Sequence, residues 1–142
     1  LEEIEDDRPI LIAASDNSMV YSFEKFQELI SDPELDALVF TFKNNPTSER
    51  NPSMYGWVKT NKDLVTGVSV KKQISENPKN DHAIVGAFYF KNKKIYREAL
   101  EILKSKDIRV NGEFYVDSMI GVLAESGKKV KPFVVDHYIC WG

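Results

Sequence analysis

The sequence predicts an α/β fold with a mixed, mostly parallel sheet and flanking helices. Short apolar runs of strand length occur at residues 10–14 and 37–42, and an amphipathic helical pattern lies between them. Two further runs flank a tight turn in the middle of the chain, and two helical patterns follow before a last apolar run. A length of 142 residues fits a single domain, residues 1–142, that can bury a core.

Composition excludes several classes of protein. Hydrophobic residues make up 42% of the chain, which argues against disorder. The 19 basic and 22 acidic residues are mixed, so no nucleic-acid partner and no polybasic membrane anchor are expected. No apolar run approaches the ~20 residues of a membrane-spanning helix. The single cysteine, Cys140, excludes an internal disulfide and favours a reducing, cytoplasmic location.

The first predicted strand, residues 10–14, is rich in isoleucine and ends at Ser15, Asp16 and Asn17. Its length and composition suit a strand buried on both faces. In open α/β sheets, ligands bind beyond the carboxyl ends of the strands, so Asp16 is placed to hold a metal ion or a polar substrate. The alternative is that Asp16 and Asn17 only form a turn, which both residue types favour.

A helix and a second strand follow. Ser22 fits the N-cap position, and Asp32-Pro33 ends the helical pattern. The apolar residues of this helix share one face: Phe23, Phe26, Leu29 and Ile30. Residues 37–42, with the sequence ALVFTF, predict a second buried strand. The order strand, helix, strand predicts a right-handed parallel crossover.

A polar segment and a hairpin occupy the middle of the chain. Residues 43–53 contain two prolines and predict a surface loop, which either covers a site or is a plain linker. Strands at residues 55–60 and 64–70 flank a short turn and predict a β-hairpin. Gly56 lies within the first of these strands, which indicates a bulge or a close approach of a ligand to the backbone.

The second half predicts two strands, two helices and two loops. The strands are at residues 82–90 and 130–141, the helices at residues 94–104 and from Val116 to the C-cap Ser126-Gly127, and the loops at residues 75–81 and 107–112. Gly86 interrupts the first of these strands, and the polar pair Asp136-His137 interrupts the last.

Two further charged residues are candidates for ligand binding. Lys72 follows the hairpin, where its ammonium could neutralise a phosphate; a solvated lysine pair with Lys71 is the alternative. Glu113 precedes the second of the two helices, where its carboxylate could accept hydrogen bonds from sugar hydroxyls or favour the helix dipole.

These features occur in a specific order along the chain. The order is Asp after the first strand, Tyr-Gly opening a hairpin, Lys at its end, Ala-x-x-Gly in the next strand, Gly-Glu before a helix and Trp-Gly at the terminus. The series resembles the sugar-1-phosphate nucleotidylyltransferase family over residues 9–142. The resemblance implies a Rossmann-like GT-A nucleotidyltransferase fold, present here in part, and the transfer of NMP from a nucleoside triphosphate to a sugar 1-phosphate with release of pyrophosphate.

The resemblance also implies roles for individual residues. Asp16 and Lys72 match the family's catalytic metal-binding aspartate and phosphate-contacting lysine. Sugar-binding positions are matched by Gly56, Ile84, Gly86 and Glu113. The implied cofactor is Mg²⁺, expected only in the full-length enzyme, and the implied partners are a sugar phosphate and a nucleoside triphosphate. A homo-oligomer or poor solubility is also expected, because a truncated sheet would expose an apolar edge or face.

The chain departs from the family pattern at three points. Lys71 and Gln73 replace the Glu and Pro of a Glu-Lys-Pro motif, and Cys140 replaces a second metal-binding aspartate; a thiol is a poor ligand for Mg²⁺. The Gly-rich signature that holds the triphosphate is expected upstream of Leu1, and the 7 glycines of this chain are scattered. The resemblance therefore implies that this chain is the portion of a nucleotidylyltransferase domain that binds the sugar phosphate.

Two other functions stay open on the sequence. A non-catalytic GT-A-like domain would bind a sugar nucleotide or a partner within a larger polypeptide, and Lys71 and Cys140 favour it because each replaces an acid of a working site. Asp16 and Glu113 favour the enzyme because a decayed domain has no reason to keep both. A glycosyltransferase of the same fold would need an Asp-x-Asp metal motif, which the sequence lacks.

The expected absence of a triphosphate-binding loop yields the first testable prediction. The 142-residue chain, mixed with a sugar 1-phosphate, Mg²⁺ and each common nucleoside triphosphate, should release no pyrophosphate, because nothing positions the triphosphate for in-line attack. A coupled pyrophosphate assay, with an active nucleotidylyltransferase as positive control, measures this. Robust turnover by the chain alone would refute the interpretation.

Overall fold

The computed structural model describes residues 3–141, which form a central sheet with helices on both faces. The strands are β1 Ile10–Ala13, β2 Asn17–Val20, β3 Ala37–Phe42, β4 Gly56–Asn61, β5 Leu64–Val70, β6 His82–Phe90, β7 Val130–Val134 and β8 His137–Cys140. The helices are α1 Phe23–Ile30, α2 Pro46–Arg50, α3 Lys93–Ser105 and α4 Val116–Glu125. The longest described helix, α3, has 13 residues, and no described helix is long and apolar enough to span a bilayer.

The main sheet has the strand order β5-β4-β6-β3-β7, and β1 pairs with the C-terminal half of β6. The pair β3 and β7 is parallel, whereas β1, β3 and β4 all run antiparallel to β6. The predicted α/β class with a mixed sheet and flanking helices is confirmed. Fewer of the strand pairs are parallel than predicted, because β4 pairs antiparallel with β5 and with the long strand β6.

Strand β3 is buried along its whole length, as its sequence predicted. Ala37 and Val39 face the core that lies under α3 and α4, and Leu38, Phe40 and Phe42 belong to a second core on the opposite face. A strand covered on both faces needs apolar side chains at successive positions, which explains the run ALVFTF. Each fully buried large apolar side chain stabilises the fold by about 1.5–3 kcal/mol.

Helix α1 covers the second core with Phe26. Its ring lies 5.7–6.0 Å from the rings of Tyr21, Phe40, Tyr89 and Phe133. The predicted N-cap is confirmed, since the Ser22 hydroxyl accepts a hydrogen bond from the Lys25 amide at 3.2 Å. The predicted apolar face is too wide: Phe23 is 56% exposed because it lies at the edge of the contact with the sheet.

The prediction that the first strand is buried on both faces is wrong. Ile10 is buried, but Leu11 is 53% exposed, because β1 is a short edge strand with its outward face uncovered. Strands β1 and β3 run in the same direction, as the crossover predicted, yet β6 lies between them: Phe90 pairs with Ile10 on one side and with Ala37 on the other.

The segment at residues 43–53 is more ordered than a plain loop. Helix α2 begins at Pro46, and the Asn45 side chain caps it by accepting the Thr47 amide at 3.0 Å. The segment is tied to the sheet, because the Trp57 indole N–H donates to the Pro52 carbonyl at 2.9 Å and the Tyr55 hydroxyl donates to Thr47 at 3.3 Å. A cap residue followed by proline is the sequence signal for this helix.

The hairpin, the strand at residues 82–90 and the two later helices are confirmed. The loop predicted at residues 75–81 contains the 3-10 turn Pro78–Asn80. The last predicted strand is interrupted at Asp136, as expected, but its halves join different sheets. Strand β7 pairs with β3, and β8 forms a separate two-stranded ribbon with β2.

Gly86 gives a prediction about the stability of the sheet. Its φ is +95°, in a bulge where the register between β3 and β6 shifts. An alanine there would be strained, and its Cβ would lie 3.1 Å from the Ala14 Cβ. Gly86→Ala should therefore lower the free energy of unfolding by about 1–3 kcal/mol in urea titrations.

Gly67→Ala is the matched control for this prediction. Gly67 is also a strand glycine, but it does not have a positive φ, and an added Cβ would meet only the Lys59 side chain, at 3.9 Å. Equal unfolding free energies for the two variants would contradict the assignment of strain to Gly86.

Candidate functional site

A cleft of about 310 Å³ opens where the first strand ends. Parts of the chain that are distant in sequence meet there: the bend after β1, the start of β4, the bulge of β6, the first turn of α4 and strand β8. The polar residues that line it are Asp16, Asn17, Tyr55, Lys71, Tyr115, Asp117, Tyr138 and Cys140, and Gly56 and residues 84–86 also line it. The cleft therefore carries one cation, two carboxylates and three phenols.

The bend that presents Asp16 is held against the bulge of β6. The Asn17 side chain donates to the Val85 carbonyl at 2.8 Å, and the Ala14 amide donates to the Gly86 carbonyl at 2.9 Å. Asp16 itself is exposed, and Asn17 also donates to its Oδ1 at 3.4 Å. The two interpretations of this segment are thus compatible, because Asn17 fixes the turn while the Asp16 carboxylate faces the cleft.

Asp117 is the site residue that the sequence interpretation missed. It lies in the first turn of α4, and its carboxylate contacts the backbone of Gly56 so closely that an added Cβ at Gly56 would lie 2.1 Å from Oδ2. The close approach predicted at Gly56 is therefore made by a side chain of the protein. Burial raises the pKa of Asp117 to about 6, against the opposing effects of its own amide N–H and of the Lys71 charge.

Of the two lysines after the hairpin, Lys71 lines the cleft and Lys72 does not. Lys71 has a positive φ of 61°, which turns its side chain toward the cleft, where Nζ donates to the Met54 carbonyl at 3.3 Å. The ammonium also lies 5.8 Å from the centre of the Tyr115 ring. Lys72 is exposed, and its carbonyl accepts a hydrogen bond from the Ser69 hydroxyl at 2.7 Å.

Glu113 lies in a neighbouring cleft of about 700 Å³. Lys71 and Tyr115 line both clefts, so they form the wall between them. The Tyr115 hydroxyl donates to the Glu113 carboxylate at 3.1 Å, and this hydrogen bond raises the pKa of Tyr115. The structure thus brings together Asp16, Gly56, Ile84 and Gly86, and places Glu113 beyond Tyr115.

Cys140 lies on the β2–β8 ribbon, where it pairs with Asn17, next to Asp16. Tyr138 stacks on Phe42 with ring centres 4.1 Å apart, and burial followed by its hydrogen bond with Cys140 raises its pKa. Within residues 3–141, no three His, Cys, Asp or Glu side chains cluster as metal ligands. Asp16 alone suits Mg²⁺ only if substrate phosphates and waters supply the other ligands. The final glycine of the Trp-Gly pair, Gly142, lies outside the described residues.

Solved structures share this fold. A nucleoside-diphosphate-sugar pyrophosphorylase from Vibrio cholerae RC9 matches 89% of this chain and 48% of its own, with a TM-score of 0.64 and 17% identity. The inositol-1-phosphate CTP transferase from T. maritima matches 94% of this chain and 47% of its own, with a TM-score of 0.63 and 15% identity. A protein assigned as a glucose-1-phosphate thymidylyltransferase from Bacillus anthracis, solved with sucrose, matches 90% of this chain and 46% of its own, with a TM-score of 0.60 and 13% identity.

At these identities the likeness establishes the fold alone, and it confirms the nucleotidyltransferase-like fold that the sequence resemblance implied. The chain spans about half the length of these structures. The sequence matches no protein-family model, and no curated protein is similar to it at the sequence level.

The burial of Asp117 predicts a pH-dependent effect of Asp117→Asn on stability. The folded-state pKa of Asp117, about 6, lies above the ordinary aspartate value of 3.8, so the folded protein holds a proton between these pH values that the unfolded chain has lost. Ionising Asp117 therefore destabilises the wild type progressively as the pH rises from ~4 to ~6, by at most about 3 kcal/mol. Asparagine does not titrate and avoids this cost.

Urea titrations at several pH values check the prediction. The unfolding free energy of Asp117→Asn minus that of the wild type should increase between pH 4 and pH 6.5 and then level off. The variant Glu125→Gln, at the exposed end of the same helix, controls for the loss of one negative charge. A difference that does not change with pH would contradict the assigned pKa.

Proposed function

We propose that this chain forms the sugar-phosphate-binding portion of a sugar-1-phosphate nucleotidylyltransferase, which transfers NMP from a nucleoside triphosphate to a sugar 1-phosphate. The main support is the convergence of Asp16, Gly56, Ile84 and Gly86 in one cleft, with Lys71 on its wall. Counted with Lys71, these positions belong to four separate segments of the chain. Their convergence within a fold shared with sugar-phosphate nucleotidyltransferases supports the proposal more strongly than any single motif does.

In the proposed reaction, an oxygen of the sugar phosphate attacks the α-phosphorus of the triphosphate. A new P–O bond forms, and the bond to the leaving pyrophosphate breaks. Reactions of this kind depend mainly on positioning and on neutralising charge. The chain supplies groups for the acceptor: Lys71 pairs with the phosphate as a point charge, and Ile84 and Gly86 line the cleft where the sugar would lie.

Mg²⁺ is the cofactor of this proposal. Asp16 would hold it together with phosphate oxygens, and the ion would neutralise the charge of the phosphates. The exposed position of Asp16 at the mouth of the cleft is compatible with a ligand shell completed by substrate and water. The phosphate role expected of Lys72 moves to Lys71 in this proposal, because Lys71 lines the cleft.

The alternative is a non-catalytic GT-A-like domain that binds a sugar nucleotide. Cys140 favours it, because it pairs with Asn17, the residue after Asp16, and carries a thiol where a second carboxylate would help to hold Mg²⁺. Both proposals predict a sugar-phosphate ligand in the same cleft. They differ in whether the longer protein releases pyrophosphate.

The binding role of Lys71 is tested with a matched pair of lysine variants. Titration calorimetry measures the affinity of the chain for glucose, mannose, galactose and N-acetylglucosamine 1-phosphates. For those that bind, Lys71→Ala should weaken binding about 10- to 100-fold, the typical effect of losing a hydrogen bond to a charged group. Lys72→Ala should change the affinity less than twofold, because its side chain lies outside the cleft.

Inorganic phosphate and the free sugars complete the test. Free sugars should bind equally to the wild type and to Lys71→Ala, since they carry no phosphate. A larger loss for Lys72→Ala than for Lys71→Ala would contradict the assignment of the lysine. If none of the four sugar phosphates binds to the wild type, the proposed function fails.

A further inference from the structure

The three carboxylates near the cleft differ in their hydrogen-bond partners. Asp16 accepts from the Asn17 side chain, and Glu113 accepts from the Tyr115 hydroxyl. Asp117 accepts from its own amide N–H, and within residues 3–141 no side chain donates to it. Each of the three carboxylates has acceptor capacity left for a ligand, and Asp117 is the one of the three that no other side chain engages.

The position of this carboxylate places it within reach of a ligand. Its Oδ2 lies against Gly56, a buried residue at the start of β4, where the absence of a side chain makes room for the carboxylate. Both residues line the cleft, so a ligand in the cleft can reach Asp117.

The positive charge of Lys71, near Asp117, indicates which class of ligand fits the cleft. The Lys71 ammonium is held by the Met54 carbonyl and has no ion pair with Asp117, so it is still able to bind an anion. The titratable groups that line the cleft with Asp117 are Asp16, Tyr55, Lys71, Tyr115, Tyr138 and Cys140, and Lys71 is the one cation among them. A cation for a phosphate and a carboxylate for a hydroxyl therefore line the same cleft.

We infer that Asp117 determines the specificity of this cleft by accepting a hydrogen bond from one hydroxyl of a phosphorylated sugar whose phosphate is bound by Lys71. The inference rests on the proposed function and deepens it. A half-buried carboxylate left without this hydroxyl would keep an unsatisfied acceptor. The cleft should therefore reject the deoxy sugar that lacks this hydroxyl.

The test uses the tightest-binding hexose 1-phosphate of the four and its 2-, 3-, 4- and 6-deoxy analogues. Against the wild type, one analogue should bind about 5- to 100-fold more weakly than the parent. Asp117→Ala should bind the parent and that analogue equally, because the partner of the missing hydroxyl is gone. Glu125→Gln, at the exposed end of the same helix and outside the cleft, is the comparison variant, and it should keep the wild-type discrimination at that position.

Two measurements separate a role in recognition from a role in folding. Inorganic phosphate should bind Asp117→Asn as tightly as the wild type or more tightly, because a negative charge near Lys71 has been removed. The analogue series on the wild-type chain needs no variant at all, so it tests the inference even if Asp117→Ala does not fold.

The outcomes distinguish this inference from the proposed function. If the wild type binds a sugar phosphate but discriminates against no deoxy analogue, or keeps its discrimination in Asp117→Ala, the inference is overturned and the proposed function stands. If the wild type binds none of the sugar phosphates, both are overturned. Loss of discrimination confined to the Asp117 variants supports the inference.

Discussion

Strand β6 hydrogen-bonds to β3 along one side and to β1 and β4 along the other, and the rest of the structure depends on this double pairing. Its alternating side chains enter both cores, with Phe88 on the face of α3 and α4 and Tyr89 on the face of α1. The bulge at Gly86 lies between its pairing segments, and the carbonyls there receive the hydrogen bonds that fix the bend after β1. The same irregularity that interrupts the sheet therefore builds the floor of the cleft.

The contact between Asp117 and Gly56 links stability to the chemistry of the cleft. Burying a carboxylate without a side-chain donor is unfavourable for folding, and the helix N-terminus and Lys71 offset only part of the cost, since the pKa remains raised to about 6. An apolar residue at position 117 would be cheaper for the fold. Unfavourable polar burial of this kind is found mainly where a site needs the group.

Local patterns were sufficient to predict most elements from the sequence, because β3, the hairpin, α3 and α4 each carry their own periodicity and caps. Strand pairing was harder, because nothing local to residues 10–14 shows that β6 would separate β1 from β3. Only part of the site was predicted, because its residues come together through contacts between distant parts of the chain. Asp117 is recognised as a site residue by its contact with Gly56, which is distant in sequence. The backbone at Lys71, with its positive φ, decides which of two adjacent lysines enters the cleft.

The polarity of the cleft, more than the fold, decides between an enzyme and a binding domain. The fold is shared with proteins that are 13–17% identical to this chain, which leaves the site residues free to differ. In the proposed function, recognition of a phosphorylated sugar would use Lys71 and Asp117. Nucleotidyl transfer would also need a metal site, for which the cleft offers Asp16 and Cys140. Because the two requirements would use different residues, loss of the second would leave the first intact, and a sugar-phosphate cleft is the property that both proposed functions share.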